Sequence, residues 1–131
     1  MKKRIFLIIL ALTLFFGVFT AISAMSVLKA VKTSRQAVAA FQNQDLDGAK
    51  KDLADSKKQF ETAQKTMIVF TPLRIIPLLG GYVGDAQRGV SASVNGLNAG
   101  VHLVDAITPY ADVLGLKGEG TFLGGTAQER L

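Results

Sequence analysis

The chain opens with an unbroken apolar run and continues with three segments in which apolar and polar positions alternate at helical spacing. The run is Ile5 to Ala24, 20 residues without a charge, directly behind Lys2, Lys3 and Arg4. Ile5, Phe6, Leu7, Leu10, Leu14, Phe15, Phe16 and Phe19 are its bulk. As a helix it measures about 30 Å, the thickness of a bilayer's hydrocarbon core. A helix satisfies its own backbone polar groups, so lipid can surround it.

Three heptad-like seams follow. In the first segment, about residues 25–44, the seam reads Ala24, Val27, Val31, Ser34, Val38, Phe41. The second, residues 46–70, reads Leu46, Ala49, Leu53, Ser56, Phe60, Ala63, Met67, Phe70. The third, residues 82–107, reads Val83, Ala86, Val90, Ser93, Leu97, Gly100, Val104, Ile107. Alternating steps of three and four put each set on one helix face. Large residues alternating with small ones suit a close antiparallel pair. Asn43-Gln44-Asp45 breaks the first helix, and Asp45 is placed to cap the second. Pro72 predicts an end for the second helix near Thr71. The expected fold is all-α: an anchor helix running into an antiparallel hairpin, with a third helix packed on both.

Residues 71–81 form an elbow holding Pro72, Arg74, Pro77, Gly80 and Gly81 among Leu and Ile. Proline fixes the bend and the glycine pair supplies positive φ, which predicts a rigid turn. Its apolar side chains either plug the end of the bundle or enter a membrane or a partner, and the plug is the expected arrangement. The third helix carries Gly84, Gly89, Gly96 and Gly100, each about 1 kcal/mol worse than Ala in a helix, a cost that close packing would offset.

Charge changes the picture at one place only. The formal charge is +5, and Lys2, Lys3 and Arg4 supply three of it. From Met25 onward 12 basic residues are interspersed with 10 acidic ones, a solvated surface rather than a nucleic-acid footprint. Lys50, Lys51, Lys57 and Lys58 lie among Asp47, Asp52 and Asp55, and Glu61 is set to pair with Lys65. The basic start favours a cytoplasmic N-terminus and an exported remainder, although Lys29, Lys32 and Arg35 follow the run. The competing reading is a cleaved signal peptide with Ala21-Ile22-Ser23 as a small-x-small site. Signal cores are about 7–15 residues, shorter than this run.

Site chemistry is sparse. There is no Cys and a single His, His102. His102 has no evident Ser or Asp partner and sits between apolar neighbours, so no catalytic, cofactor or metal residues are assigned. Gly118-Glu119-Gly120 lacks the strand, helix and Gly-Lys-Ser/Thr of a phosphate loop. Residues 115–131 read as a Gly-rich linker ending in a capping box, Thr126 to Glu129. A helix start there leads to the expectation of a continuation beyond Leu131.

Basic start and anchor (Lys2 to Ala24), Asp45-Leu46-x-x-Ala49-x-x-x-Leu53, Phe60-x-x-Ala63, the elbow Leu73-Arg74-Ile75-Ile76-Pro77-Leu78-Leu79-Gly80 and the small-residue third helix form one arrangement. It resembles the N-terminal region of a family of uncharacterised bacterial membrane-anchored surface proteins, catalogued as a domain of unknown function. The resemblance implies a single-pass anchor and an exported region with no assigned activity.

The expected organisation is therefore a cytoplasmic start (1–4), an anchor (5–24), an exported bundle (25–114) and a linker (115–131). The expected function is a non-catalytic stalk or interaction module of the cell envelope. Its expected partners are the lipid bilayer and a protein or the missing C-terminal region. A sensor-type ectodomain, or a secreted binder or holdase if the run is cleaved, are the alternatives.

Overall fold

The computed structural model describes residues 2–111 and 113. The described residues are helical, with no strand among them. Three α-helices follow in order: α1 (Lys2–Gln42), α2 (Leu46–Met67) and α3 (Leu79–Ile107). A 3-10 segment, Ile68–Ile75, joins α2 to α3, and a short 3-10 turn, Thr108–Tyr110, follows α3. The linker and the capping box at 126–129 lie outside the described residues.

The apolar run and the first seam are one uninterrupted helix of 41 residues. At 1.5 Å per residue α1 is about 60 Å long. It ends at the predicted break. Gln44 takes a left-handed conformation (φ 62°), and the Asp45 carboxylate accepts a 2.8 Å hydrogen bond from the Gly48 backbone N–H. Gly48 leaves room for that cap, because a Cβ would fall 2.1 Å from the carboxylate and displace it.

α2 returns antiparallel along α1 on small residues. Ser23, Ala30 and Ala37 are the buried positions of α1, facing a stripe of α2 in which Ala49, Ser56 and Ala63 are buried. Ser56 is wholly buried and donates to the Ala30 carbonyl at 2.8 Å. Its one proton is thereby used, so Ser34 donates to Ser56 across 2.6 Å. Ser23 meets Thr66 the same way, at 2.6 Å. The α2 seam is the predicted one. The α1 seam is met in part: Val27 and Ser34 reach the bundle, but Ser23, Ala30 and Ala37, one residue before Ala24, Val31 and Val38, are the buried positions, and Val31, Val38 and Phe41 stay exposed. Close helix approach selects the alanines and serine over the bulkier valines.

α3 packs chiefly along α2 and meets α1 at few positions, less than the expected packing on both. Val90 joins Ala30, Phe60 and Ala63 in the main cluster, with Val27, Met67, Val94 and Leu97 around it. Polar links reinforce the α2–α3 face. Lys57 Nζ donates to Asn98 Oδ1 at 2.8 Å, Gln64 Nε2 to Ser91 Oγ at 2.9 Å, and Lys50 pairs with Asp105. Glu61 lies 3.9 Å from Lys57, one turn before it, instead of pairing with Lys65. Leu46, Val104 and Ala111 close the bundle at the α1–α2 turn, with Leu53 and Ile107 packed on them. Close packing is seen at only some of the α3 glycines. A Cβ on Gly84 would meet arginine side chains and one on Gly100 would meet Leu53, but Gly89 and Gly96 face open space.

The small-residue interface makes a direct prediction. Ala63→Leu inserts bulk where α1 and α2 touch and should destabilise the hairpin by about 1–3 kcal/mol. Ser56→Ala loses two hydrogen bonds, to the Ala30 carbonyl and from Ser34, and should cost about 1–3 kcal/mol. Urea unfolding in detergent micelles, followed by circular dichroism, measures both.

Candidate functional site: a membrane interface

The chemistry-bearing side chains come first, because they gather nowhere. Among the described residues no group of three or more His and acidic side chains is placed to hold a metal. His102 is exposed, and its Nε2 is 3.4 Å from Asn98 Nδ2 on the next turn. The lysines of α2 are engaged locally: Lys58 with Asp55, Lys57 with Glu61 and Asn98, Lys50 with Asp105. Such exposed pairs contribute about 0–1 kcal/mol each and form a solvated face.

The distinctive surfaces are apolar. In α1, Ile5, Phe6, Leu7, Leu10, Leu14 and Phe15 are all exposed, and the most apolar 18-residue stretch of the helix has no buried residue. A core helix of a soluble bundle would be covered. Among the described residues α1 is the one helix long and apolar enough to cross a membrane. Lys2, Lys3 and Arg4 occupy its first turn, exposed. Only the last part of the run is in contact with the bundle. Phe16 and Phe19 are half-buried; Phe15 and Phe19 pack together, and Phe16 lies against Phe70 with ring centroids 5.7 Å apart.

The elbow is the second apolar surface, and here the structure corrects the sequence reading. α2 does not run to residue 70. It tightens into 3-10 geometry after Met67 and continues through Pro72 to Ile75. Proline's fixed φ suits a 3-10 segment. Ile76 is extended (φ −79°, ψ 123°), as the residue before Pro77 tends to be. The positive φ falls on Leu78 (φ 73°, ψ −45°), not on a glycine. Gly80 and Gly81 lie in the first turn of α3, which begins three residues earlier than predicted. Gly80 serves close approach: a Cβ there would sit 2.2 Å from the Arg74 carbonyl oxygen. Gly81 has open space around it.

Nor does the elbow plug the bundle. Ile75 and Leu78 are 86% and 87% exposed, and Ile76, Leu79, Tyr82 and Ile68 are exposed beside them. The bundle is closed at its other end, by Ala111. Between Lys65 and Asp85 the single charged side chain is Arg74. Its guanidinium lies back over Gly84, in the second turn of α3.

Two openings complete the surface. A shallow groove of about 570 Å³ separates α1 from α3, lined by the displaced Val31 and Val38 with Phe60 and Leu97, and edged by Arg35. A smaller cleft of about 260 Å³ brings Thr20, Ser23 and Ala24 of α1 level with Met67, Phe70 and Val83. Sequence patterning identified the run and the elbow as apolar. It had no signal for their adjacency, which follows from the antiparallel register of α1 and α2.

No family model, curated protein or solved structure matches the chain.

The two adjacent glycines give a paired test of the elbow. Gly80→Ala should destabilise by about 2 kcal/mol or more, because the clash is with backbone. Gly81→Ala should stabilise by about 0.5–1 kcal/mol through helix propensity alone. Thermal unfolding of the two variants in detergent checks the sign of each.

Proposed function

We propose that the chain is a membrane-anchored helical module, with its bundle exported as a non-catalytic stalk or interaction element of the bacterial cell envelope. One observation carries this reading. The first part of the uncharged run, residues 5–15, stands clear of the bundle with its apolar side chains uncovered, while the polar half of the same helix packs against α2. An apolar surface of that length calls for lipid. The basic first turn favours a cytoplasmic N-terminus, with the bundle on the opposite side.

The burial of Ser23 favours an anchor over a cleaved signal. Ser23 is 3% exposed and bonded to Thr66, and Phe16 supports Phe70. Cleavage after Ser23 would remove Ser23 and Phe16, one partner from each of these cross-helix contacts. The resemblance to membrane-anchored surface proteins points the same way. The groove between α1 and α3 and the elbow are the surfaces this reading leaves for lipid or protein contacts.

Carbonate extraction of membranes, proteolysis of intact cells and the mature mass test the proposal together. The expected result is a carbonate-resistant protein of full mass whose bundle is cut by external protease. A soluble species shortened near Ser23 or Ala24 would replace the anchor with a secreted binder. A protected bundle would invert the orientation.

A further inference from the structure

We propose that the elbow, residues 68–82, enters the outer leaflet beside the α1 span and gives the bundle a second lipid contact. This rests on the anchored reading of α1 and adds a surface that reading does not require.

The argument begins with register. α1 and α2 are antiparallel, so the end of α2 returns toward the membrane end of α1. Ser23 faces Thr66, and seven residues deeper in α1 Phe16 faces Phe70. Seven residues of helix are about 10 Å. Phe16 lies eight residues inside Ala24, the outer limit of the uncharged run, which is about 12 Å below that limit. Phe70 therefore sits at a depth reached by acyl chains. The exposed Ile68, Ile75, Leu78 and Leu79 flank it on the same segment. The elbow's apolar surface is continuous with that of the span.

Several polar groups of the elbow fit that depth. Pro72 and Pro77 carry no backbone N–H, so two donors that lipid could not satisfy are absent. The Ile76 and Gly80 N–H groups are bonded within the elbow, to the Leu73 and Ile76 carbonyls at 3.1 and 2.9 Å. Gln87 reaches back to the Met67 carbonyl at 2.9 Å. Arg74 folds its guanidinium over Gly84, near Arg88. Val83 and Gln87, on either side of that position, are level with Thr20 and Ala24, at the outer limit of the run. Arg74 thus snorkels from the apolar tip to the headgroup zone. Tyr82, 77% exposed, suits the same interface. Leu78 holds a positive φ that is strained for a bulky residue, and it is the most exposed large side chain of the elbow.

The chain lacks cysteine, so single-Cys variants need no background removal. The full chain, carrying an environment-sensitive fluorophore at Ile75→Cys, Leu78→Cys, Leu10→Cys or Lys58→Cys, is placed in phosphatidylcholine–phosphatidylglycerol vesicles. Both elbow positions are solvent-facing in the fold and tolerate a label. The proposal expects the elbow labels to behave like the Leu10 label: blue-shifted, quenched by acyl-chain nitroxides and no longer quenched by iodide. Elbow labels quenched by iodide as readily as the Lys58 label, with the Leu10 label still in lipid, would overturn the elbow contact and leave the anchor standing. A Leu10 label in water would remove both. Elbow labels shielded from nitroxide and iodide alike would mean that protein, such as a second copy of this chain, covers the patch, and would also overturn the proposal.

Discussion

The architecture depends on how closely α1 and α2 approach. Ser23, Ala30 and Ala37 recur every seven residues along α1, and Ala49, Ser56 and Ala63 recur every seven along α2. No bulky side chain separates the two helices on this seam, so hydroxyls can bond across it. Ser56 reaches the Ala30 carbonyl and Ser23 reaches Thr66. A seam of small residues gains less from apolar burial than a leucine seam would. It gains instead in definition: the buried hydroxyls are satisfied only in one register, and a slip would leave them unpaired at about 1–3 kcal/mol each. No buried side-chain polar atom lacks a partner among the described residues.

That register sets everything downstream. It fixes where α2 ends along α1, and so where the 3-10 segment begins. It brings Phe70 to Phe16 and places the elbow alongside the apolar run. α3 then leaves Gly80 and climbs back along α2, leaving an open groove against α1. The seam that organises the bundle thus also positions the two apolar surfaces that we propose meet lipid. The helix that joins them has no proline, and its one glycine, Gly17, lies within the run.

Much of this was legible in the sequence. Helix count, the α2 seam, the Asp45 cap and the break at residues 43–45 follow from spacing and side-chain chemistry. Four features did not, for physical reasons. Heptad spacing reads the α1 seam through Val31 and Val38 as well as Val27 and Ser34, and of these four only Val27 and Ser34 meet the bundle. The contact instead uses Ala30 and Ala37, which carry little hydrophobic signal and matter because they are small. At the elbow, positive φ was assigned to Gly80 and Gly81, the residues with least resistance to it. Leu78 carries it, because Pro77 holds Ile76 extended and Gly80 must pass the Arg74 carbonyl. The exposure of Ile75 and Leu78 also escaped the pattern, since hydropathy does not say whether an apolar segment is covered by protein. The proximity of elbow and run is a consequence of register and lies beyond local sequence.

The continuity of the α1–α2 seam into the apolar run is the central claim, and oxidative cross-linking in native membranes tests it most directly. Two double variants of the full chain are compared: Ser34→Cys with Ser56→Cys, and Ser23→Cys with Thr66→Cys. The paired side-chain oxygens are 2.6 Å apart in both. The account predicts that both pairs form intramolecular cross-links with comparable efficiency in a protein of uncleaved mass. A cross-link at 34–56 with none at 23–66 would contradict it, showing a hairpin that closes in the bundle but separates from the run.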